Sequence, residues 1–192
     1  MSIKVSSGIS LSTNYFLRNF YTNNQKAAKT SGRSSYSNVE LSYEDSRALN
    51  RAAKRLSKSD FGSDMDEKDD DLNKTSQAAI EAFVDTYNYT ITSGKSSSDY
   101  ETKRYVKQLN TLSKKHADEL SDLGITVNSD GTLDLNKDLL KTANNSKARK
   151  LLSSDQEYPQ KLVKLSRKMN SAVQENIMSL ISTQNMHIDI SL

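Results

Sequence analysis

Apolar residues that recur every three or four positions constrain the fold of this chain more than any other feature of its sequence. Five separate segments show this spacing, at residues 43–58, 70–92, 99–122, 137–152 and 159–183. The spacing places apolar side chains on one face of an α-helix and leaves the other faces polar. We therefore predict a mainly α fold, in which about five helices pack through these faces in an elongated bundle.

Local signals predict where the helices begin and end. Ser42 and Ser98 each precede an acidic residue by three positions, as in a capping box. The acidic residues 69–71 suit the positive N-terminus of the second helix, and residues 93–97 predict a flexible turn after it. Asn136 is expected to cap the fourth helix. Pro159 is expected to lie in the first turn of the fifth, where it loses no hydrogen bond.

One short segment departs from the helical pattern. Residues 125–127 and 132–135 alternate between apolar and polar side chains, and Asp130-Gly131 lies between them. Asp-Gly between alternating residues is a strong signal for a tight turn, so we predict a small β-hairpin at about 125–135. Residues 186–192 also alternate, which indicates a possible terminal strand.

Two polar segments define the predicted domain organisation. Ser, Thr and Asn occupy 17 of the first 38 positions, so residues 1–38 are predicted to form a polar, flexible N-terminal tail. Residues 39–192 are predicted to form the helical domain, with an acidic linker at about 60–71. The tail has no apolar stretch of the kind that a secretory signal peptide contains.

The charge of the chain alternates in sign along the sequence, although the net charge is +3. Residues 1–58 hold ten Lys and Arg against three acids, and residues 60–85 hold nine acids against two bases. Residues 137–168 are basic again. Because an acidic segment directly follows the basic first helix, we expect self-neutralisation more than nucleic-acid binding.

The composition excludes most site chemistry. The chain has no cysteine and only two histidines, His116 and His187, so thiol catalysis and Cys-ligated metals are excluded. No apolar run is long enough to predict a transmembrane helix. The acidic run 64–71 and the segment 128–131 lack the ligand spacing of a calcium loop, and Gly94-Lys95-Ser96 lacks the glycine of a phosphate-binding loop. We interpret His116 as a half-buried packing residue, and we predict no enzymatic activity, cofactor or metal site.

The fifth helix has a continuous apolar stripe with two possible roles. Its residues are Leu162, Leu165, Met169, Val173, Ile177 and Leu180. The stripe could pack inside the chain's own bundle, which its period near 3.6 favours, or it could form a face for self-association or for a partner helix.

Three sequence motifs in a fixed order add a family resemblance. Phe83-Val84-Asp85-Thr86-Tyr87-Asn88 lies within a predicted helix, and Leu120-Ser121-Asp122-Leu123-Gly124-Ile125 follows about 30 residues later. Asp130-Gly131-Thr132-Leu133-Asp134-Leu135 completes the set. Together they resemble the helical domain of the bacterial flagellar filament-capping protein, hook-associated protein 2. The resemblance covers about residues 45–175, so the chain looks like a short, minimal relative.

The resemblance implies a scaffold and no active site. Its structural positions are Phe83, Val84, Tyr87, Asn88, Leu120, Leu123, Gly124, Ile125, Asp130, Gly131, Leu133 and Leu135. It implies a non-enzymatic structural or assembly protein that leaves the cell by flagellar export and associates with flagellin, hook-associated proteins or itself. The alternative is a cytoplasmic helical binding module, such as an export chaperone or regulator, and nucleic-acid binding is a weaker alternative.

Overall fold

The computed structural model describes residues 33, 36–59, 61 and 71–185, with backbone alone for 182–185. Seven helices lie in these ranges: α1 (Asn38–Leu56), α2 (Lys74–Ser96), α3 (Tyr100–Lys115), α4 (Ala117–Ser121), α5 (Lys137–Lys141), α6 (Asn145–Leu152) and α7 (Glu157–Asn185). The strands β1 (Ile125–Val127) and β2 (Leu133–Leu135) lie between α4 and α5. The predicted mainly α fold with one small hairpin is confirmed. The predicted terminal strand, most of the tail and most of the acidic linker lie outside the described residues.

Helix α1 begins five residues earlier than predicted, inside the segment that we assigned to the tail. Ser37 caps it, since its hydroxyl oxygen accepts a hydrogen bond from the Glu40 amide at 3.3 Å. The Glu40 carboxylate in turn accepts from the Ser37 amide at 2.8 Å. The prediction of Ser42 as the cap was wrong. Ser42 is buried within α1, and its hydroxyl donates to the Ser93 carbonyl at 3.1 Å.

Helix α2 begins and ends later than predicted. Its N-cap is Asn73, whose side-chain oxygen accepts from the Ser76 amide at 2.8 Å. Asp71, which was expected in the first helical turn, instead forms an isolated β-bridge with Asn144. The predicted turn at 93–97 was also wrong, because α2 continues through Ser96.

Gly94 permits the close approach of three helices at the end of α2. A Cβ atom on Gly94 would lie 2.4 Å from Val106 Cγ2 in α3 and 2.7 Å from Met169 Cε in α7. Both distances are far below van der Waals contact, so only glycine fits here without a shift of its neighbours. This contact outweighs the low helix propensity of glycine, and it explains why a Ser- and Gly-containing segment is helical.

Two of the predicted helices are each divided in the structure. The predicted helix 99–122 is interrupted at His116, which separates α3 from α4 and has φ −109° and ψ 29°. Asp99, and not Ser98, caps α3, because its carboxylate accepts from the Thr102 amide at 2.7 Å. The predicted helix 137–152 is interrupted before Asn144, which caps α6. Leu139, expected in an apolar stripe, is therefore 54% exposed.

The hairpin has the predicted position and turn. Ile125 pairs with Leu135 and Val127 pairs with Leu133 in an antiparallel register. Gly131 has φ +83° in the turn, and Gly124 has φ +76° after α4. Both conformations are left-handed, which favours glycine over residues that have a Cβ atom.

The core lies around α2, which packs against α1, α3 and β2, while α7 packs against α1 and α3. The buried apolar residues of α2 are Ala79, Ile80, Phe83, Val84, Tyr87 and Ile91. A smaller buried cluster of Tyr43, Val173 and Ile177 joins α1 to the second half of α7. In the part of the chain that the structure describes, none of the helices is both apolar enough and long enough to cross a membrane.

We predict that Gly94→Ala lowers the free energy of unfolding by about 1 to 2 kcal/mol, because overpacking outweighs the gain in helix propensity. Urea denaturation of the purified chain measures this change. In a Val106→Ala background the same substitution should cost less, since the nearer of the two clashing methyl groups is gone and only that of Met169 remains. A Gly94→Ala protein at least as stable as the unmodified chain would contradict the close approach.

Candidate protein-interaction surface

Asn88 joins two of the three sequence motifs directly. Its side-chain amide donates to the Leu133 carbonyl at 2.7 Å, and its side-chain oxygen accepts from the Leu133 amide at 2.7 Å. These bonds attach the hairpin to the middle of α2, which the sequence places 45 residues earlier. Asn88 therefore links α2 to β2, which is the structural role of the last position of its motif.

Most of the other motif residues pack in the core around this link between Asn88 and Leu133. Phe83, Val84, Tyr87, Leu120, Leu123, Ile125 and Leu133 are all buried in the main core, and Leu135 packs at its edge. Asp130 is exposed in the hairpin turn, where its carboxylate accepts from the Thr132 amide and hydroxyl. These bonds to Thr132 lower the pKa of Asp130. The motif residues named here thus serve the scaffold.

A buried cluster of hydroxyl groups connects α2, α3 and α7. The Ser113 hydroxyl donates to the Tyr87 hydroxyl at 3.0 Å and lies 3.2 Å from the Tyr158 hydroxyl. Burial raises the pKa of Tyr87 to about 12 and raises that of Tyr158 as well. Both phenols therefore stay neutral near pH 7, and their hydrogen bonds satisfy one another inside the core.

His116 packs beside this cluster, as the sequence predicted for a half-buried residue. Its ring lies 5.3 Å from that of Tyr158, with an interplanar angle of 66°. Neither ring nitrogen has a hydrogen-bond partner among the described residues, although the Glu119 and Glu157 carboxylates lie 3.5 and 3.8 Å away. The ring thus packs on Tyr158 with two carboxylates beside it.

The apolar stripe of the last predicted helix is largely used inside the molecule. Leu162, Met169, Val173 and Ile177 are buried against the chain's own helices. Leu165 is half-buried, and Leu180 is 49% exposed. In the folded chain a partner could reach only these two residues of the predicted partner face.

A surface groove lies between α3 and α7. It has a volume of about 400 Å³ and is lined by Gln108, Thr111, Leu112, Lys115, Lys161, Lys164, Leu165 and Lys168. We call it the α3/α7 groove. Each helix contributes four residues at positions i, i+3, i+4 and i+7, so one continuous face of each helix forms one wall. Four lysines line the groove above two leucines.

Glu157 lies at one end of the α3/α7 groove, beside Lys115 and Lys161. Its carboxylate accepts hydrogen bonds from the Lys115 ammonium at 2.7 Å and from the Lys161 ammonium. These two lysines lower the pKa of Glu157 to about 2. By contrast, Lys164 and Lys168 form no ion pair with any residue in the described ranges. The open part of the groove therefore presents uncompensated positive charge.

We did not predict this groove from the sequence, although the sequence contains a signal for it. Lys161, Lys164 and Lys168 recur at helical spacing beside Leu165, which is a second stripe next to the apolar one. We read that basic stripe as part of an alternating charge pattern. Which face of α3 lies opposite could not be known before the helices were packed together.

The described residues contain no group of three or more His, Cys, Asp or Glu side chains that could hold a metal ion. Comparison of the chain with protein-family models, curated proteins and solved structures finds no match. A function must therefore be inferred from the residues and their arrangement.

We predict that Asn88→Ala lowers the free energy of unfolding by about 1 to 3 kcal/mol, because the amide and carbonyl of Leu133 both lose their partner. Hydrogen exchange should show faster exchange of the Leu133 amide and of the hairpin amides. Asp85→Ala, on an exposed position three residues before Asn88 in α2, is the matched control and should change stability by less than about 0.5 kcal/mol. An equal loss of unfolding free energy in the two variants would show that Asn88 does not link α2 to the hairpin.

We predict that the carboxyl group of Glu157 titrates near pH 2, well below its usual value of 4.5. The folded-state pKa is lowered, so the stabilisation by this pairing is present above pH 4.5 and is lost as the pH falls towards 2. Carbon-13 NMR of the side-chain carboxyl group measures the midpoint. Lys115→Gln should raise it towards 4.5, whereas Lys54→Gln on α1 should leave it unchanged. A midpoint near 4.5 in the unmodified chain would show that the lysine pairing is absent.

Proposed function

We propose that this chain is a non-enzymatic structural or assembly protein of the flagellar type that acts through protein–protein association. The single observation that supports this most is the direct connection between motifs separated in sequence. Asn88 ends the first motif and binds the backbone of Leu133 in the third, while Leu123 and Ile125 of the second motif pack in the same core. The residues that resemble the filament-capping family thus form one physical unit.

The chemistry of the motif positions also favours a scaffold. Seven of these residues are buried apolar or aromatic groups, and the two glycines have left-handed backbone conformations. A protein whose distinctive residues stabilise a fold exerts its function through the surface that the fold presents. We therefore propose flagellin, hook-associated proteins or a second copy of this chain as partners, and a location on the flagellum reached by flagellar export.

A cytoplasmic helical binding module, such as an export chaperone or regulator, is the second candidate. The α3/α7 groove favours it, because an open cationic groove is suited to a partner segment that the chain would hold before assembly. Nucleic-acid binding has less support, since none of the residues that line this groove is aromatic and could stack on a base.

Cell fractionation separates the two candidates. In the native bacterium with a working flagellar export apparatus, an epitope-tagged chain should appear in the medium or the filament fraction. Loss of the apparatus should retain the chain inside the cell. A constitutively cytoplasmic protein serves as the lysis control. A chain that stays in the cytoplasm regardless of the apparatus, and that co-purifies with unassembled flagellin-like proteins, would overturn the structural role and favour the chaperone.

A further inference from the structure

The positive charge of the α3/α7 groove comes from two segments that are distant in the sequence. Helix α3 contributes Lys115, and α7 contributes Lys161, Lys164 and Lys168 more than 45 residues later. Among the residues that the structure describes, Glu157 forms ion pairs with Lys115 and Lys161, whereas Lys164 and Lys168 form none. Like charges gathered in one concave surface repel each other and raise the local concentration of an oppositely charged ligand.

The floor of the groove is apolar. Leu112 is buried and Leu165 is half-buried, and both lie between the two rows of polar side chains. A purely ionic ligand would leave this floor in contact with water. A ligand that has both carboxylates and apolar side chains would cover the leucines and pair with the lysines at the same time.

We propose that the α3/α7 groove binds a short acidic amphipathic helix of a partner protein. Lys161 and Lys168 are seven residues apart on α7, so the cationic stretch is about 10 Å long, or two helical turns. Two turns of a helix present two apolar residues on one face with carboxylates on either side of them. That pattern matches two leucines beneath a row of lysines.

The charges beyond the groove favour a short peptide over a nucleic acid. Glu157 lies at one end, where it pairs with Lys115 and Lys161. At the other end Lys168 also lines an adjoining groove, which contains Glu101 and Glu175 together with Arg167. A phosphate backbone that extended past the lysines would meet carboxylates on both sides. A helical segment of two turns ends before it reaches them.

Fluorescence anisotropy with a defined probe tests the proposal. The probe is a fluorescein-labelled, N-acetylated decapeptide of sequence EELLEELLEE, titrated with the full chain at low salt. We expect saturable binding that weakens as the salt concentration rises, because exposed ion pairs are screened. A peptide with every Glu replaced by Lys should not bind.

Matched variants locate the site. Lys164→Gln with Lys168→Gln should weaken binding at least fivefold, whereas Lys54→Gln with Lys58→Gln, which removes the same charge from exposed positions of α1 and the turn after it, should change it less than twofold. Leu165→Ala should weaken binding about threefold by removing part of the floor. Circular dichroism confirms that each variant keeps its helical content, so a loss of binding is not a loss of fold.

Three outcomes would overturn the proposal. The first is that the acidic peptide shows no saturable binding. The second is that the Lys164→Gln, Lys168→Gln variant and the Lys54→Gln, Lys58→Gln variant lose the same amount of peptide affinity. The third is that single-stranded oligothymidine binds more tightly than the peptide, through Lys164 and Lys168. The last result would assign the groove to nucleic acid. Because the test uses a synthetic peptide, its result does not depend on whether the protein is exported, and it is separable from the fractionation experiment.

Discussion

Close packing around α2 is the constraint on which the rest of the structure depends. Phe83 contacts the rings of Tyr87 and Tyr158 at centroid distances of 5.7 and 6.3 Å, so α2 is joined to the start of α7 through aromatic edges. Gly94 lets α3 and α7 approach the other end of α2. Between them, Asn88 holds the hairpin. The hairpin, α3 and α7 are thus each in direct contact with α2.

This packing decides what remains available for function. The main apolar stripe of α7 is used to cover α1 and α3, so it is largely unavailable to a partner in the folded chain. Once that stripe is buried, the neighbouring face of α7 lies against the outer face of α3 and forms the α3/α7 groove. The proposed partner surface is therefore a consequence of internal packing. It combines exposed lysines with one buried leucine, Leu112, and one half-buried leucine, Leu165.

The sequence predicted the fold class, the hairpin and most of the core, because these depend on short-range patterns. Asp130-Gly131 fits a tight turn whatever surrounds it, and Phe83, Val84 and Tyr87 recur at helical spacing. The helix ends were predicted less well. Ser37 and Ser42 each precede an acid by three residues, and the local pattern does not show which of them caps α1. Ser37 forms the cap, whereas Ser42 lies inside the helix, where its hydroxyl donates to the Ser93 carbonyl of α2, a partner 51 residues away.

By itself, the amino-acid sequence determined the secondary structure class, the inward faces of the main helices and the lack of cysteine chemistry. These follow from periodicity and composition, which act between neighbours along the chain. The tertiary structure decided that the Ser- and Gly-containing segment around Gly94 is helical. It also decided that Asn88 links α2 to the hairpin, and that lysines from α3 and α7 line one groove. Each of these depends on contacts between residues far apart in sequence, and such contacts exist only after the helices have packed.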